Sequence, residues 1–592
     1  MRVAVARLQG YLRPAPKGVE MGGHSLRAFC LVQALILAVL LAGAVRAEDS
    51  HTVTLPVAPA PAAPSATESV TPPSVPALPP VESATGVPRT DAQPSAEPTA
   101  APQIVEPPPP PPPPPPHPIV GAIRAQLADP ALRKGAADTD LAALEAFYGE
   151  RTDPPLWITD AGFSSQAQAA IKEIQDAASW GLNPEAFDLP AAGDAPSSVE
   201  AQAADEIKLD LALLKYARHA RGGRLTPSRV SPLFDQRPSL RKSETVLTEI
   251  AAADSADAYL RSLHPKHPQF EQLQQELLRT KGNPYEPVNE RDTQRLILNM
   301  ERWRWLPPEL GSFHVWNNVP EFNARVVKDG NVIYVEKTIV GQLKYATPFF
   351  SAPMRSIVFH PEWVVPETIL REDLQPSLQQ PGFFGSNTSV LQQHKLRVAY
   401  KGQPVDPNSV DWANVNIRQY TFIQSPGPHN VLGKFKFNFP NKHAVYMHDT
   451  PQRELFAETV RTLSHGCIRV HQPDRFATLL LAEDKGWSAE QVYTMLDGGN
   501  NTVKLNRAIP VHLTYFTAVA DERGGVRTYA DIYGLDGPMA QALFGSAAAS
   551  FPAPPQPAAS VVSQDQRRQP SRRASGDPIA AFGSAISGLF GN

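Results

Sequence analysis

Ten consecutive prolines at positions 107–116 close a stretch of chain that cannot enter a packed core. Residues 50–118 are dominated by Pro, Ala, Ser, Thr and Val and are poor in aromatic side chains. Proline has no amide hydrogen and a fixed φ, so the stretch suits neither helix nor sheet. It also holds too little apolar surface to repay the entropy of ordering. The expectation is a disordered, extended linker over 48–118, in which the ten prolines alone span about 31 Å as polyproline II. A similar texture returns from about 546, with FPAPPQPAAS and the basic RRQPSRR, and predicts a disordered tail over 546–592. That tail ends in DPIAAFGSAISGLFGN, where Ile579, Phe582, Ile586 and Leu589 could line one side of a short docking or membrane-surface helix. Four apolar residues among glycines read more simply as weakly structured tail. Folding is thereby confined to some 420 intervening residues, too many for one average domain.

The first 47 residues speak to location. Arg2, Arg7, Arg13, Lys17 and Arg27 precede an apolar run of 18 residues, 28–45, and Val45-Arg46-Ala47 has the form of a small-residue cleavage site. This is the layout of a secretory signal, and the run is also near the length of an uncleaved membrane anchor. Both readings export the bulk of the chain. A net charge of −4 with 19% charged residues gives no electrostatic footprint for nucleic acid.

Between the tethers the texture changes once. LAALEAFYGE, SSQAQAAIKEIQDAASWG, DEIKLDLALLKYARHARGG and FEQLQQELLRTKG carry apolar residues at three- and four-residue spacings, and glycines such as Gly181 and Gly222 stand where helices would stop. From Arg295 the chain becomes rich in β-branched and aromatic residues, at 313–319, 322–327, 331–340 and 354–360, with a hairpin turn at Lys328-Asp329-Gly330-Asn331. A Pro-, Gln- and Ser-rich stretch at about 364–418 interrupts these strands before YTFIQ, KFKFNFP and HAVYMHD resume them. PDRFATLLLAEDKG then predicts a helix. The fold class is therefore α+β multidomain: a helical region over 119–294, a β-rich domain over 295–525 with one long insertion, and a short extension over 526–545. A loop as long as that insertion is usually functional.

Only two cysteines occur, Cys30 in the leader and Cys467, so an exported mature chain would keep one unpaired thiol. A free cysteine is often just a small buried hydrophobe. Here Ala444, Tyr446 and His448 would share one face of the HAVYMHD strand. Fifteen residues separate His448 from Ser464, enough for an excursion that returns the chain to meet the imidazole. A thiol nucleophile needs such a neighbour to lower its pKa. Gly466 before the cysteine permits a tight turn, the amides of Gly466 and Cys467 could meet a developing oxyanion, and Arg469 is a fixed cation for a carboxylate. His443, His448, His465, Cys467 and His471 also offer the nitrogen and sulfur that zinc prefers, but without CxxC or HExxH spacing.

A histidine, about fifteen residues, then Ser464-His465-Gly466-Cys467-Ile468-Arg469 resembles the signature of YkuD-type L,D-transpeptidases. The resemblance extends through 295–307, 347–354 and 424–441, and the helical half, at 147–162 and 216–227, looks like the scaffold region of the large YcbB-like members. It implies a cysteine acyltransferase acting on peptidoglycan stem peptides in the periplasm of a Gram-negative bacterium, without cofactor or metal. Cys467 would be the nucleophile and His448 the base. Asp449 would orient the imidazole through its backbone carbonyl, and the amides of His465, Gly466 and Cys467 would form the oxyanion hole. Arg469, Ser464, Tyr446 and Asn430 complete the expected substrate-binding set. The thioester, formed with release of D-alanine, would pass to a second stem's amine as a 3→3 crosslink, to an outer-membrane protein, or to water. Other wall-synthesis proteins are conceivable partners, and a non-catalytic wall-binding protein is the reading from another class. Where relatives insert a peptidoglycan-binding module, this chain has only 277–294, which leaves substrate capture to the scaffold and to the 364–418 insertion as a lid.

Overall fold

The computed structural model describes residues 115–132, 136–191, 198–282, 289–382, 385–521 and 523–555. The leader, nearly all of the proline-rich linker and the tail beyond 555 lie outside them. The described part begins with helices α1 (Pro118–Leu127), α2 (Asp138–Gly149), α3 (Ser165–Gln175), α4 (Val199–Ala220), α5 (Ser243–Ala251), α6 (Ala256–Ser262) and α7 (Pro268–Gly282). Their apolar stripes meet in one core holding Leu141, Leu144, Ile174, Leu213, Leu247 and Leu260. Helix starts follow from side-chain caps: Ser164 and Ser198 each accept an amide hydrogen bond from the first turn of α3 and α4. Gly181, at φ +69°, ends the 3-10 turn that follows α3.

Helix α8 (Glu290–Arg304) is where the sequence placed a boundary. It is buried on two sides. Leu296, Met300 and Trp303 pack against Phe270, Leu273 and Leu277 of α7 and against Trp316 and Phe516. Leu298 and Trp305 join a different core with Phe234, Phe349, Tyr515 and Tyr533. The helical and β-rich regions are therefore joined through shared side chains. The 526–545 segment is integral too: Ile532, Tyr533, Leu535 and Met539 enter that second core, and buried Asp536 takes Arg302 Nη2 at 2.7 Å.

The β-rich region is a closed sheet. Its strands are β1 (Phe313–Asn318), β2 (Asn323–Lys328), β3 (Asn331–Gly341) and β4 (Ser351–Phe359). After the insertion follow further strands, numbered below. The β2–β3 turn has Asp329 and Gly330 at φ +49° and +78°, the two left-handed residues a tight hairpin needs. Within the insertion lie β5 (Trp363–Val364), β6 (Leu396–Tyr400), β7 (Gln403–Val405) and β8 (Tyr420–Gln424). Beyond it come β9 (Phe435–Asn438), β10 (Met447–His448), β11 (Thr462–Ser464), β12 (Ile468–Val470) and β13 (Asn501–Thr514). The strand order is β11-β3-β12-β10-β9-β4-β13-β1-β2, and β2 pairs back onto β3 to close the ring. Phe435, Phe437, Met447 and Ile468 face the core, where Phe476 and Leu480 of α9 (Pro473–Lys485) cover them.

Two sequence expectations need correction. HAVYMHD is not a seven-residue strand: only Met447 and His448 pair, and Ala444 has φ +54°, which breaks the extended run. The insertion is not a loop. Strands β7-β6-β8-β5 form a second sheet over a core of Trp363, Ile369, Leu374, Leu391, Trp412 and Phe422. YTFIQ, expected in the main sheet, is the third strand of this smaller one.

Candidate active site

Period-two alternation sorts the side chains of three neighbouring strands. Antiparallel pairing of β9 with β10 sets Lys436 opposite His448, and parallel pairing of β10 with β12 sets His448 opposite Arg469. Their neighbours Phe437, Met447 and Ile468 go to the core, so Lys436, His448 and Arg469 form a row on the other face. Cys467 stands one residue before β12 and Tyr446 one before β10. A cavity of about 220 Å³ is lined by Cys467, His448, Tyr446, Arg469, Ser464 and His465 from the barrel, and by Trp363 and 366–369 from the insertion.

His448 is buried, and its Nδ1 donates to the Asp449 carbonyl at 2.5 Å. The Asp449 carboxylate is committed elsewhere. Its oxygens accept Lys434 N at 2.7 Å, Thr450 N at 2.6 Å and the Arg453 guanidinium. Gly433 packs so closely on it that a Cβ there would lie 2.3 Å from the carboxylate. Burial, reinforced by the Arg469 charge, pushes the His448 imidazole down to about 3. Burial also raises the Cys467 thiol, against hydrogen bonds from the Tyr446 amide and hydroxyl and the charges of Lys436 and Arg469. Arg469, brought down to about 10 by burial, donates to Gln452 Oε1 at 2.7 Å.

The nucleophile loop is built on glycine. Gly466 has φ +103°, a conformation that disfavours any side chain. Beneath it Gly341 leaves no room for one: a Cβ would lie 2.1 Å from Tyr345 O and 3.0 Å from Gly466 Cα. Ser464 Oγ donates to Cys467 O at 2.5 Å and accepts Gly466 N at 3.2 Å, while Gly466 O accepts Thr347 Oγ1 at 2.8 Å. Thus the Gly466 amide is spent inside the loop and is not aimed at a substrate oxygen, and Ser464 braces the turn. Asn430 does not line the cavity. Its side-chain nitrogen donates to the carbonyls of Pro361, Gln424 and Ser425, tying together the loops where the insertion joins the barrel.

The His465 side chain does more than its backbone alone would. Its ring stacks on Tyr345 at 4.3 Å, and Nε2 lies 3.3 Å from Asp373 of the insertion. Beside it Glu372 takes Tyr345 Oη and Lys344 Nζ at 2.8 and 2.7 Å. Sequence reasoning missed Lys436, Gly341 and these two carboxylates. Only Lys436 had a visible signal, as the polar residue between Phe435 and Phe437.

Residues 312–499 match the model of the L,D-transpeptidase catalytic domain, YkuD, and residues 142–277 match that of the scaffold domain. A protein of Haemophilus influenzae (strain ATCC 51907 / DSM 11121 / KW20 / Rd), provisionally named an L,D-transpeptidase, is 33% identical over 248 residues. The match takes in 41% of this chain and 48% of that relative, so the chain spans about half the length of the curated relative it matches. An L,D-transpeptidase structure from Mycobacterium smegmatis overlaps 34% of this chain and 58% of its own at 13% identity and a TM-score of 0.16. L,D-transpeptidase 3 of Mycobacterium tuberculosis, with a faropenem-derived adduct, overlaps 34% and 60% at 14% and 0.17. With both domain models matched in this order, the chain carries an L,D-transpeptidase catalytic domain, YkuD, behind a scaffold domain.

Proposed function

We propose that this protein is a peptidoglycan L,D-transpeptidase with Cys467 as nucleophile and His448 as general base. The reading rests on one observation above all: Cys467 and His448 line one cavity whose wall also holds Arg469, with the Lys436 charge acting on the same sulfur. With Nδ1–H held by Asp449 O, the imidazole keeps Nε2 as its basic nitrogen. It takes the thiol proton as sulfur attacks the L-centre carbonyl of the third stem residue, meso-diaminopimelate. Collapse expels the terminal D-alanine, whose amine receives that proton, and leaves a thioester. Since the Gly466 amide serves Ser464, the oxyanion falls to the amides of His465 and Cys467. The Tyr446 hydroxyl, itself hydrogen-bonded by Trp363, supports the sulfur's charge. Transfer to an amine exchanges one amide for another and gives a 3→3 crosslink without a nucleotide. The insertion acts as a lid, and the leader places the reaction in the periplasm.

Intact mass after incubation with a tetrapeptide stem tests the reading. Wild type should gain the mass of the tetrapeptide less that of the released D-alanine, and Cys467→Ala should not. A folded wild type that forms no adduct would defeat it.

A further inference from the structure

His443 lines the catalytic cavity and also a second cavity of about 410 Å³ on its far side. That second space lies between a scaffold loop carrying Asp235, Gln236 and Arg237 and the barrel segment 350–353 with Lys442. The loop is held there by backbone bonds, Asp235 N to Phe349 O at 2.9 Å and Phe349 N to Leu233 O at 2.8 Å. Asp235 thereby meets His443, with Oδ2 2.9 Å from Nε2, and accepts Lys442 Nζ at 2.7 Å. A carboxylate only accepts, so Nε2 carries the hydrogen of the neutral ring and Nδ1 is its basic nitrogen. The next residue, Ala444, points its carbonyl at Cys467, 3.9 Å from Sγ. An imidazole oriented by a carboxylate therefore belongs to a residue that lines the same cavity as Cys467, and the acylation step does not use it.

We infer that the Asp235–His443 pair accepts the proton of the incoming amine in the second half-reaction, with the 410 Å³ cavity as the acceptor's entry. This rests on the transpeptidase reading above. The acceptor arrives as an ammonium, which is not a nucleophile until it loses a proton. His443 takes that proton and passes it to solvent. The amine nitrogen attacks the thioester carbonyl, the C–S bond breaks, and a second nitrogen proton returns to sulfur through His448, restoring the thiol. Exposed Arg237, which lines that cavity, supplies a cation for the carboxylate that accompanies an amino-acid ammonium. The acceptor class is thus the zwitterionic amino-acid end of a peptide. His443 is the catalytic group and Asp235 a positioning residue.

The test uses the full chain, acylated by a tetrapeptide stem and offered either a diaminopimelate-bearing stem peptide or hydroxylamine, whose nitrogen is uncharged at neutral pH. The readout is the ratio of aminolysis to hydrolysis of thioester already formed, so slower acylation does not alter it. General-base removal is commonly worth 10²–10⁴-fold. His443→Gln and Asp235→Asn should each lower the ratio for the peptide acceptor at least tenfold. The hydroxylamine ratio should stay within about twofold of wild type. An unchanged peptide ratio, or an equal fall for both nucleophiles, would overturn the inference. A wild type that forms no thioester would instead overturn the transpeptidase reading, and this inference with it.

Discussion

Single side chains set the protonation state from which this site starts. Burial lifts the Cys467 thiol and brings the His448 imidazole down to about 3, so the pair rests neutral at pH 7. On the proposed mechanism, proton transfer would then accompany attack rather than precede it. Iodoacetamide labelling of Cys467 should accelerate with pH through the alkaline range above the ordinary thiol value of about 8.5. A rate plateau between pH 5 and 8 would show a thiolate already formed. Lys436 opposes the burial penalty, so Lys436→Met should slow labelling about tenfold at fixed pH. Gly341 tests geometry alone. Its added methyl would collide with Tyr345 O and crowd Gly466, so Gly341→Ala should cost acylation about a hundredfold while far-ultraviolet circular dichroism stays native. That Cys467 and His448 would reach one cavity was legible in the sequence because motif and spacing are local. Lys436 was not, because its role depends on which strand lies beside β10, and register is a property of the closed sheet.

The insertion shows why an element can be misread. Its apolar residues include Leu370, Leu374 and Leu378 at four-residue spacing, a helical signal that Pro376 interrupts. Proline clashes with the carbonyl four residues earlier, here Glu372. The structure accommodates this with a π turn over Leu370–Leu374 inside a continuous helical stretch from 367 to 378. That turn presents Glu372 and Asp373 to Lys344, Tyr345 and His465, so the residue that obscures the helix also shapes the clasp between insertion and barrel. Exposed ion pairs of this kind contribute little, because water screens them. Glu372→Gln with Asp373→Asn should therefore raise the labelling rate of Cys467 only about fivefold, by populating an opened insertion. No change in rate would mean that these contacts do not govern access. Trp412→Ala, which empties the insertion's own core, should remove about 3–5 kcal/mol from that subdomain and leave the barrel folded. Hydrogen exchange confined to 363–432 would register it.

At the scale of the whole molecule, the helical and β-rich halves were legible but their seam was not. Sequence texture divides the chain at 295, in the middle of α8, because an amphipathic helix signals one buried face and α8 has two. The scaffold is therefore packed against the barrel through α8 and through the loop that carries Asp235. Two buried carboxyls, Glu206 and Asp210, stand one helical turn apart on α4. Glu206 accepts the amides of Leu156, Trp157 and Ile158, and Asp210 takes the hydroxyl of Tyr148 and the indole of Trp157. Burial raises both carboxyls, Glu206 to about 7. The folded scaffold thus holds a proton that the unfolded chain releases near pH 4.5. The stability this lends is fully present below the unfolded value and is lost as pH rises from about 4.5 to about 7, a change on the order of 3 kcal/mol. The melting temperature of the scaffold transition should accordingly fall between pH 5 and 8. Glu206→Gln, which keeps one accepting oxygen for the Leu156 and Trp157 amides but cannot ionise, should flatten that fall, and an identical slope in the variant would place the titration elsewhere.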